Sequence, residues 1–191
     1  MEVSMRLNGT QTIETERLIL RKYTLDDAEA MYNNWGRYEE CFEYLPWESC
    51  ASINEAEERI KKWIELYKDN TFYQWCIELK ESKESIGLIN LHNIDEDNLS
   101  AETTYILSPK YWNKGIMTET LRAVLEYGFE VMGLNRISAD YFSGNDGSQK
   151  VMIKNIMKYE GTFSERYCKS GVFYDSIQYA VLKKDWEQKN K

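Results

Sequence analysis

The stretch SPKYWNKGIMTETLRAVLEYGF, Ser108 to Phe129, joins a short polar turn to an amphipathic helix. Lys114 and Gly115 lie in the turn, and no Ser or Asp stands in the cap position. The apolar residues that follow recur at helical spacing: Met117, Leu121, Val124, Leu125 and Phe129. Because the first turn of a helix carries unpaired N–H groups and the positive end of a dipole, this opening predicts an anion-binding site.

The composition is that of a folded globular protein. Hydrophobic residues make up 42% of the 191 residues and charged residues 29%. A chain of this length can bury a sizeable core, and the lack of a linker or repeat predicts one domain spanning residues 1–191. The net charge of −8 argues against a nucleic-acid partner, because phosphate binding needs clustered Lys and Arg. A cationic or a neutral partner stays open.

Cysteine and histidine usage argues against a metal site. His92 is the one histidine, and the four cysteines are far apart with no Cys-x-x-Cys pair: Cys41, Cys50, Cys76 and Cys168. A zinc site is therefore not expected. The N-terminus lacks an apolar core of signal-peptide length, and no apolar run reaches 18 residues. We expect a cytoplasmic protein with reduced thiols and no membrane partner.

The periodicity of the rest of the chain predicts helices and strands in a definite order. Arg17 to Tyr23 is a strand, and Thr24 caps a helix with an acidic first turn. A second helix, capped by Ser52 or Asn54, runs from about Ile53 to Lys68. Three strands then form an antiparallel meander before the helix of the opening stretch. A strand, a helix and two strands joined near Gly171 follow it. The segments after the second helix are TFYQWCIEL, SIGLINLHNI, AETTYILS, NRISADYF, NDGSQKVMIKNIMKYEG and TFSERYCKSGVFYDSIQYAVLKKDW.

Three common catalytic or nucleotide-binding motifs are missing. Ser-His-acid hydrolysis would need His92 as its base, but no Gly-x-Ser-x-Gly segment is present. Lys114 precedes Gly115, and no earlier glycine stands at phosphate-loop distance. The dinucleotide pattern Gly-x-Gly-x-x-Gly is absent as well. Trp112 to Thr118 remains as the candidate anion site, although a Lys-Gly pair before a helix is more often an ordinary connection.

The order of elements and these segments, from TERLILRKYTLDDAEAMYNNW at Thr15 to Trp186, resemble the GNAT superfamily of acetyl-CoA-dependent N-acetyltransferases. The similarity is greatest to the branch that contains the ribosomal-protein N-terminal (alanine) acetyltransferases. The resemblance implies an α+β fold with α/β/α layers and a mixed, mostly antiparallel sheet of six to seven strands. It also implies splayed fourth and fifth strands and about four helices.

The resemblance assigns the coenzyme A pyrophosphate to the turn and helix opening of the quoted stretch. The matching residues are Trp112, Asn113, Lys114, Gly115, Ile116, Met117 and Thr118. Thr104 to Ser108 corresponds to the fourth strand and Arg136 to Phe142 to the fifth. Pantetheine is expected in the gap between them, on free backbone groups of Ile106 and Leu107.

The helix after the fifth strand carries the next group of residues implied by the resemblance. Asn145 and Ser148 match an Asn-x-x-Ser motif whose Asn touches pantetheine and whose Ser lies near the sulfur. Lys150 adds charge for the nucleotide phosphate. The branch usually has a glycine after this helix, where this chain reads Asn155-Ile156-Met157, so the helix end must close in another way.

Acetylation requires a neutral amine, so a base is useful. An alkylamine has a pKa of about 10.4 and an α-amino group about 8. We assign the base to Glu102, with a structural ion pair as the alternative. Ser148 is assigned to the departing thiolate, with a helix cap as its alternative role. A backbone N–H near Ile106 or Leu107 would stabilise the developing oxyanion.

The acceptor is expected to enter past the irregular segment Glu39 to Glu48, which combines aromatic and acidic residues. The residues assigned to acceptor binding are Glu43, Tyr44, Trp47 and Tyr141. Such a segment could attract a cation by charge and cation–π contact, or it could be a surface loop with buried aromatics. Tyr141 faces either the site or the core.

The predicted function is transfer of acetyl from acetyl-CoA to a primary amine, either a small molecule or a protein N-terminus. The alternative is a regulatory protein that binds acyl-CoA without turnover. Fold alone does not choose the acceptor. A homodimer is one possibility for the oligomeric state.

Overall fold

The computed structural model describes residues 4–189, which build one sheet of eight strands with helices on both faces. The strands are β1 (Ile13–Glu14), β2 (Leu18–Arg21), β3 (Tyr73–Leu79), β4 (Ser85–Asp95), β5 (Ser100–Leu107), β6 (Arg136–Phe142), β7 (Lys158–Lys169) and β8 (Val172–Leu182). Their order in the sheet is β1-β2-β3-β4-β5-β6-β8-β7. The pairing of β5 with β6 is parallel, and every other pairing is antiparallel.

The described residues form five α-helices and several shorter turns of helix. The α-helices are α1 (Ala28–Met31), α2 (Ile53–Leu66), α3 (Ile116–Glu126), α4 (Asp146–Lys154) and α5 (Lys183–Lys189). A 3-10 turn, Leu25–Asp27, leads into α1, and π-helical turns extend α1 over Tyr32–Gly36 and α3 over Tyr127–Met132. The predicted N-caps at Thr24 and Ser52 are confirmed; Ser52 accepts a hydrogen bond from the Glu55 N–H.

The α+β class and the order of elements are confirmed, but the predicted counts of six to seven strands and about four helices are too low. The additional strand β1 has only two residues, so it carries no alternation that a sequence could display. The additional helix α5 is a short polar segment in which only Trp186 is buried. Both elements form because the neighbouring core holds them, not because of their own pattern.

Helix α4 ends at Lys154, five residues before the predicted position near Tyr159. Asn155 is the C-cap, Ile156 has a φ of 58°, and the Met157 N–H donates to the Met152 carbonyl. This is the closure usually made with glycine in the left-handed position. The chain therefore ends the helix in the usual geometry with a β-branched residue, which costs about 1 to 2 kcal/mol of backbone strain.

Each face of the sheet buries its own hydrophobic cluster. On one face α3 and α4 pack on the sheet, with Leu121 and Phe129 fully buried. On the other face α1 and α2 contribute Trp35 and Ile60. We call these the α3–α4 face and the α1–α2 face. Because side chains alternate along a strand, the residues between those of one cluster point to the opposite face.

The sheet opens between β5 and β6. Their parallel pairing covers only three residue pairs and ends at Glu102 and Ser138. Beyond that point β5 stays paired with β4 as far as Leu107, and β6 stays paired with β8 as far as Phe142. The two strands thus diverge and leave the predicted V-shaped gap.

Candidate active site

The start of helix α3 lies at the end of the diverging strand β5 and carries no side-chain cap. Gly115 is the N-cap residue with a φ of 73°, and Asn113 has a φ of 58°. Two left-handed residues on either side of Lys114 curl the backbone, which is how consecutive N–H groups come to face one anion. The N–H groups of the first turn, residues 116–118, are the remaining donors. This geometry fits a phosphate or pyrophosphate.

Arg17 fixes this turn from outside. Its Nη1 donates to the Lys114 carbonyl over 3.0 Å, and its Nε pairs with Oε2 of Glu119 over 2.6 Å. The other Glu119 oxygen accepts from the Thr15 hydroxyl and the Arg17 backbone N–H, at 2.6 and 3.0 Å. Burial raises the pKa of Glu119, but these hydrogen bonds outweigh it and hold the pKa below its ordinary value. The turn is therefore tied to the β1–β2 connection.

A cavity of about 320 Å³ lies beside the same helix opening. Gly115 and Thr118 line it together with Glu16, Glu119, Arg122 and Lys154. Two cationic side chains line the cavity, Arg122 from α3 and Lys154 from α4. The sequence interpretation did not place these two helices around one site. Sequence reasoning named Lys150, which is exposed on α4, and missed Arg122 and Lys154. Their position one turn beyond Thr118 and Lys150 was the available signal.

The remaining residues of the turn divide into core and surface. Ile116 and Met117 are 4% and 6% exposed, so their side chains belong to the core and only their backbone can face a ligand. Trp112 is 42% exposed, and its indole N–H donates to the Leu107 carbonyl over 2.8 Å. The Lys114 ammonium lies 5.4 Å from the centre of the Tyr111 ring.

Strand β5 directs alternate backbone groups into the gap. The Ser108 N–H donates to the Ile86 carbonyl on β4, so the alternation of an antiparallel pair places Ile106 on the β4 side as well. The backbone groups of Tyr105 and Leu107 then point toward β6. Since Ile106 faces β4, the Leu107 N–H is the better placed of the two predicted groups for a ligand in the gap. The Leu107 carbonyl accepts from the Trp112 indole.

Helix α4 closes the far side of the gap. Asn145 caps it, and its Oδ1 accepts from the Ser148 N–H over 3.1 Å. The Tyr105 hydroxyl, on β5, donates to the Ser148 carbonyl over 3.3 Å. Burial raises the pKa of Tyr105 well above its ordinary value, so this phenol stays a neutral donor. The predicted Asn-x-x-Ser motif is therefore held next to the splayed strand by a tyrosine that sequence reasoning did not select.

Glu102 lies at the last residue pair before the strands diverge, opposite Ser138 on β6 and His92 on β4. Its neighbours Ala101 and Thr103 are buried, and Ala101 belongs to the α3–α4 core, so the carboxylate points to the α1–α2 face. Its charge contributes to the raised pKa of Arg136, whose main cause is the hydrogen bond to Glu160. On the same face the Thr104 hydroxyl lies 3.0 Å from Nε2 of His92.

A second carboxylate, Asp140, shares this face. Its Oδ2 accepts from the hydroxyl of Tyr167, on β7, over 2.8 Å and from the hydroxyl of Ser176, on β8. Burial and the hydrogen bond to Asp140 raise the pKa of Tyr167 to about 12, and Glu102 adds to the shift. Sequence reasoning missed this group, although the alternation of polar residues in NRISADYF indicated a polar face.

The segment Glu39–Glu48 forms a wall beside the β6–α4 connection. The Tyr44 ring packs on Gly144, where an added Cβ would lie 3.3 Å from it. Burial and the Glu43 carboxylate raise the pKa of Tyr44. Trp47 is 37% exposed. Glu43, Tyr44 and Trp47 thus all lie in the wall. Tyr44 contacts Gly144, the residue that precedes Asn145.

Tyr141 lies elsewhere. It is 5% exposed, belongs to the core cluster of the α3–α4 face, and its ring centre is 6.1 Å from that of Tyr179. Of the two positions that the sequence left open for this residue, the structure places it in the core.

Within residues 4–189 the structure has no group of His, Cys, Asp and Glu that could hold a metal ion. No helix in the same part of the chain is both long and apolar enough to cross a membrane.

A sheet that splays before a helix with an uncapped, glycine-started N-terminus defines an acyltransferase of the GNAT class, and comparison with known proteins agrees. Residues 17–158 match the acetyltransferase (GNAT) domain family, so the chain belongs to that family. The N-acetyltransferase YoaA of Bacillus subtilis is 33% identical over 171 residues, which cover 90% of this chain and 96% of YoaA. The chain is thus an acetyl-CoA-dependent N-acetyltransferase.

The relatives include N-acetyltransferases that act on ribosomal proteins, as the sequence resemblance predicted. The [ribosomal protein uS5]-alanine N-acetyltransferase of Escherichia coli is 24% identical over 181 residues, 91% of this chain and 92% of the enzyme. A ribosomal L7/L12 alpha-N-protein acetyltransferase, solved in complex with coenzyme A, superposes with a TM-score of 0.80 at 20% identity. That structure covers 90% of this chain and 98% of its own, and it shows the shared fold.

Proposed function

We propose that this chain transfers acetyl from acetyl-CoA directly to a primary amine while both reactants lie in the gap between β5 and β6. The proposal rests on two features that lie next to each other. Helix α3 starts without a side-chain cap near the end of β5, and the backbone groups of β5 that face β6 are no longer paired with that strand beyond Glu102. Acetyl-CoA, when bound, supplies an acetyl group activated as a thioester. No covalent intermediate on the enzyme is needed.

The residues of the α3–α4 side hold the acetyl donor. The first-turn amides of α3 and Lys114 receive the pyrophosphate, and Asn145 and Lys150 extend the site along α4. The Leu107 N–H donates to the acetyl oxygen as negative charge develops on it, which is the role of a preorganised oxyanion donor. Ser148 donates a proton to the departing sulfur.

The residues of the α1–α2 side handle the amine. Glu102 removes the proton of the attacking amine, directly or through one water, as the nitrogen–carbon bond forms and the carbon–sulfur bond breaks. The proton that leaves the nitrogen replaces the one that Ser148 gives to sulfur, so the products are an amide and a thiol. Glu43, Tyr44 and Trp47 line the acceptor entrance.

The acceptor is a protein N-terminus or a small primary amine. The name of the Escherichia coli relative refers to alanine of ribosomal protein uS5, which favours an N-terminal α-amine. Such an amine is neutral at roughly the ten per cent level at pH 7, so it demands less of the base than an alkylamine.

Two measurements test the proposal. Calorimetry with acetyl-CoA should show binding at micromolar concentration, and thiol release should appear with one class among alanine-starting peptides, polyamines and aminoglycosides. Ser148→Ala should slow release by about ten-fold or more without loss of acetyl-CoA affinity. Absence of acetyl-CoA binding would refute the proposal. Binding without turnover on any amine would leave the acyl-CoA-binding regulator as the function.

A further inference from the structure

Lys169 makes an unusual set of contacts at the end of β7. Its ammonium donates to the backbone carbonyls of Phe42, Leu45 and Trp47, the last two at 2.9 and 3.1 Å. A lysine ammonium has three donors, and this one uses all of them on a single segment more than 120 residues away in sequence. We call this arrangement the Lys169 clamp.

The Lys169 clamp holds the backbone of the acceptor wall, the segment Glu39–Glu48. On the inner side, Phe42 is 2% exposed and its ring lies 6.1 Å from that of Trp35. The segment has one 3-10 turn, Glu39–Cys41, and two backbone bonds within it, from the Phe42 N–H to the Glu39 carbonyl and from the Leu45 N–H to the Phe42 carbonyl. The ammonium therefore gives the Leu45 and Trp47 carbonyls a donor and adds a second donor to the Phe42 carbonyl, which already accepts from the Leu45 N–H over 3.0 Å.

The β7–β8 hairpin gives Lys169 a fixed position from which to reach the wall. The two residues between the strands, Ser170 and Gly171, have φ angles of 51° and 80°, which match a tight hairpin turn. The same hairpin carries Tyr167, which donates to Asp140, and its ring is stacked on Phe142 with centroids 4.4 Å apart. The hairpin is thus anchored to β6. Through Lys169 it also fixes the position of the wall relative to Asp140 and its neighbours on the α1–α2 face.

We propose that Lys169 is a positioning residue for the acetyl acceptor. It keeps the wall in the conformation that receives the amine and contacts neither acetyl-CoA nor the reacting nitrogen. This inference rests on the proposed acetyl transfer. When a conformation that can bind is only partly populated, apparent affinity falls in proportion to its population, so loss of the clamp should weaken acceptor binding selectively.

The test compares Lys169→Met, Lys169→Arg and a control, Lys158→Met. Lys158 lies on the same strand, but its ammonium pairs with Asp185 on α5 over 2.9 Å, away from the wall. Lys169→Met should raise the acceptor KM by about ten-fold and leave the acetyl-CoA KM within two-fold. Lys169→Arg keeps the positive charge, but a planar guanidinium cannot place its donors as one ammonium does, so it should recover only part of the affinity, while Lys158→Met should match the parent in both constants.

Hydrogen exchange of the free enzyme gives a readout that does not depend on turnover. Amides of residues 39–48 should exchange faster in Lys169→Met than in the parent or in Lys158→Met. An unchanged acceptor KM, or an equal rise in both KM values, would overturn the inference. If the parent enzyme acetylates no amine, the proposed function fails and the claim on acceptor affinity falls with it. Faster exchange in that case would identify the clamp as a structural tie only.

Discussion

The two sides of the gap differ in how far apart their parts lie in the sequence. The donor side comes from two short segments, residues 104–118 and 145–150, each a strand end or turn followed by the start of a helix. The acceptor side gathers the segment Glu39–Glu48, Glu102, Asp140 and the β7–β8 hairpin. The proposed donor side depends mainly on local backbone geometry, with Arg17 as its one long-range anchor described above, whereas the proposed acceptor side depends on long-range side-chain contacts.

This difference explains why a resemblance in sequence identifies the donor and leaves the acceptor open. A glycine-containing turn before a helix takes its geometry mainly from its own few residues, and here the contacts of Arg17 hold it in place. The acceptor wall, by contrast, changes with any residue that contacts it from another element. Relatives can therefore share one donor and differ in the amine they acetylate.

The largest expected effect separates chemistry from donor binding. Glu102→Gln removes the proposed base and keeps the shape of the side chain, so kcat should fall by about 100-fold, the lower end of the range for a positioned base. The acetyl-CoA affinity measured by calorimetry should stay the same. Glu130→Gln, at an exposed residue at the end of the α3 extension, is the control. A Glu102→Gln enzyme with full kcat would make the carboxylate a structural ion-pair partner.

The next effect tests the donor side alone. Gly115→Val places a β-branched residue at a φ of 73° and brings its Cβ to 3.7 Å from the Arg17 guanidinium. The strain amounts to about 2 kcal/mol, so acetyl-CoA affinity should fall by about 30-fold in calorimetry. Gly161→Val is the matched control, because its Cβ meets no atom within 4 Å. Unchanged affinity in Gly115→Val would show that the turn does not hold the donor.

The smallest effect compares two ion pairs, one at the start of α1 and one at the proposed donor turn. Asp27, next to α1, accepts from Nη1 and Nη2 of Arg21 and from the Thr24 N–H. Burial raises the pKa of Asp27, but these bonds hold it below the ordinary 3.8. A lowered pKa gives stability that is present above the unfolded value and lost as the pH falls through the folded value. The pKa of Glu119, which anchors the donor turn, is likewise lowered from its ordinary 4.5, so its contribution to stability is lost in the same direction of pH.

Urea unfolding at pH 6 and pH 2.5 checks this comparison. Asp27→Asn should lose about 1 to 2 kcal/mol at pH 6, and Glu119→Gln about half of that, because the Asp27 side chain is 7% exposed and that of Glu119 19%. Both losses should be smaller at pH 2.5, because protonation of the two carboxylates below their ordinary pKa weakens the same interactions in the parent. A difference that does not depend on pH would contradict the assigned ion pairs.

Much of the fold was predictable because its signals are local. The caps at Thr24 and Ser52, the start of α3 at Gly115 and the turn at Gly171 each follow from a residue and its near neighbours. The two-residue strand β1 has too few residues to show a period, and α5 has a polar composition that indicates no buried face. These two elements exist through tertiary contacts.

The site divides in the same way. The turn and the Asn-x-x-Ser helix were located from sequence, and the structure brings them to the two sides of one gap. Tyr105, Asp140 and the Lys169 clamp were not found. Their roles come from contacts across strands or between distant segments. The polar alternation of β6 indicated the face on which Asp140 lies, but no spacing in the chain encodes the partners of the three residues.

The divergence of β5 and β6 has a mechanical consequence. Each strand is held along its whole length by a neighbour on its outer side, β4 or β8, so the angle of the wedge is set by the twist of the flanking sheet. The cleft is already open when the chain is folded, and a molecule that enters it meets a rigid frame. Binding therefore requires little change in the conformation of the protein, and the free energy of binding is reduced little by such a change. Substitutions far from the cleft that alter the twist of β4 or β8 would change its width, and with it the thickness of what fits.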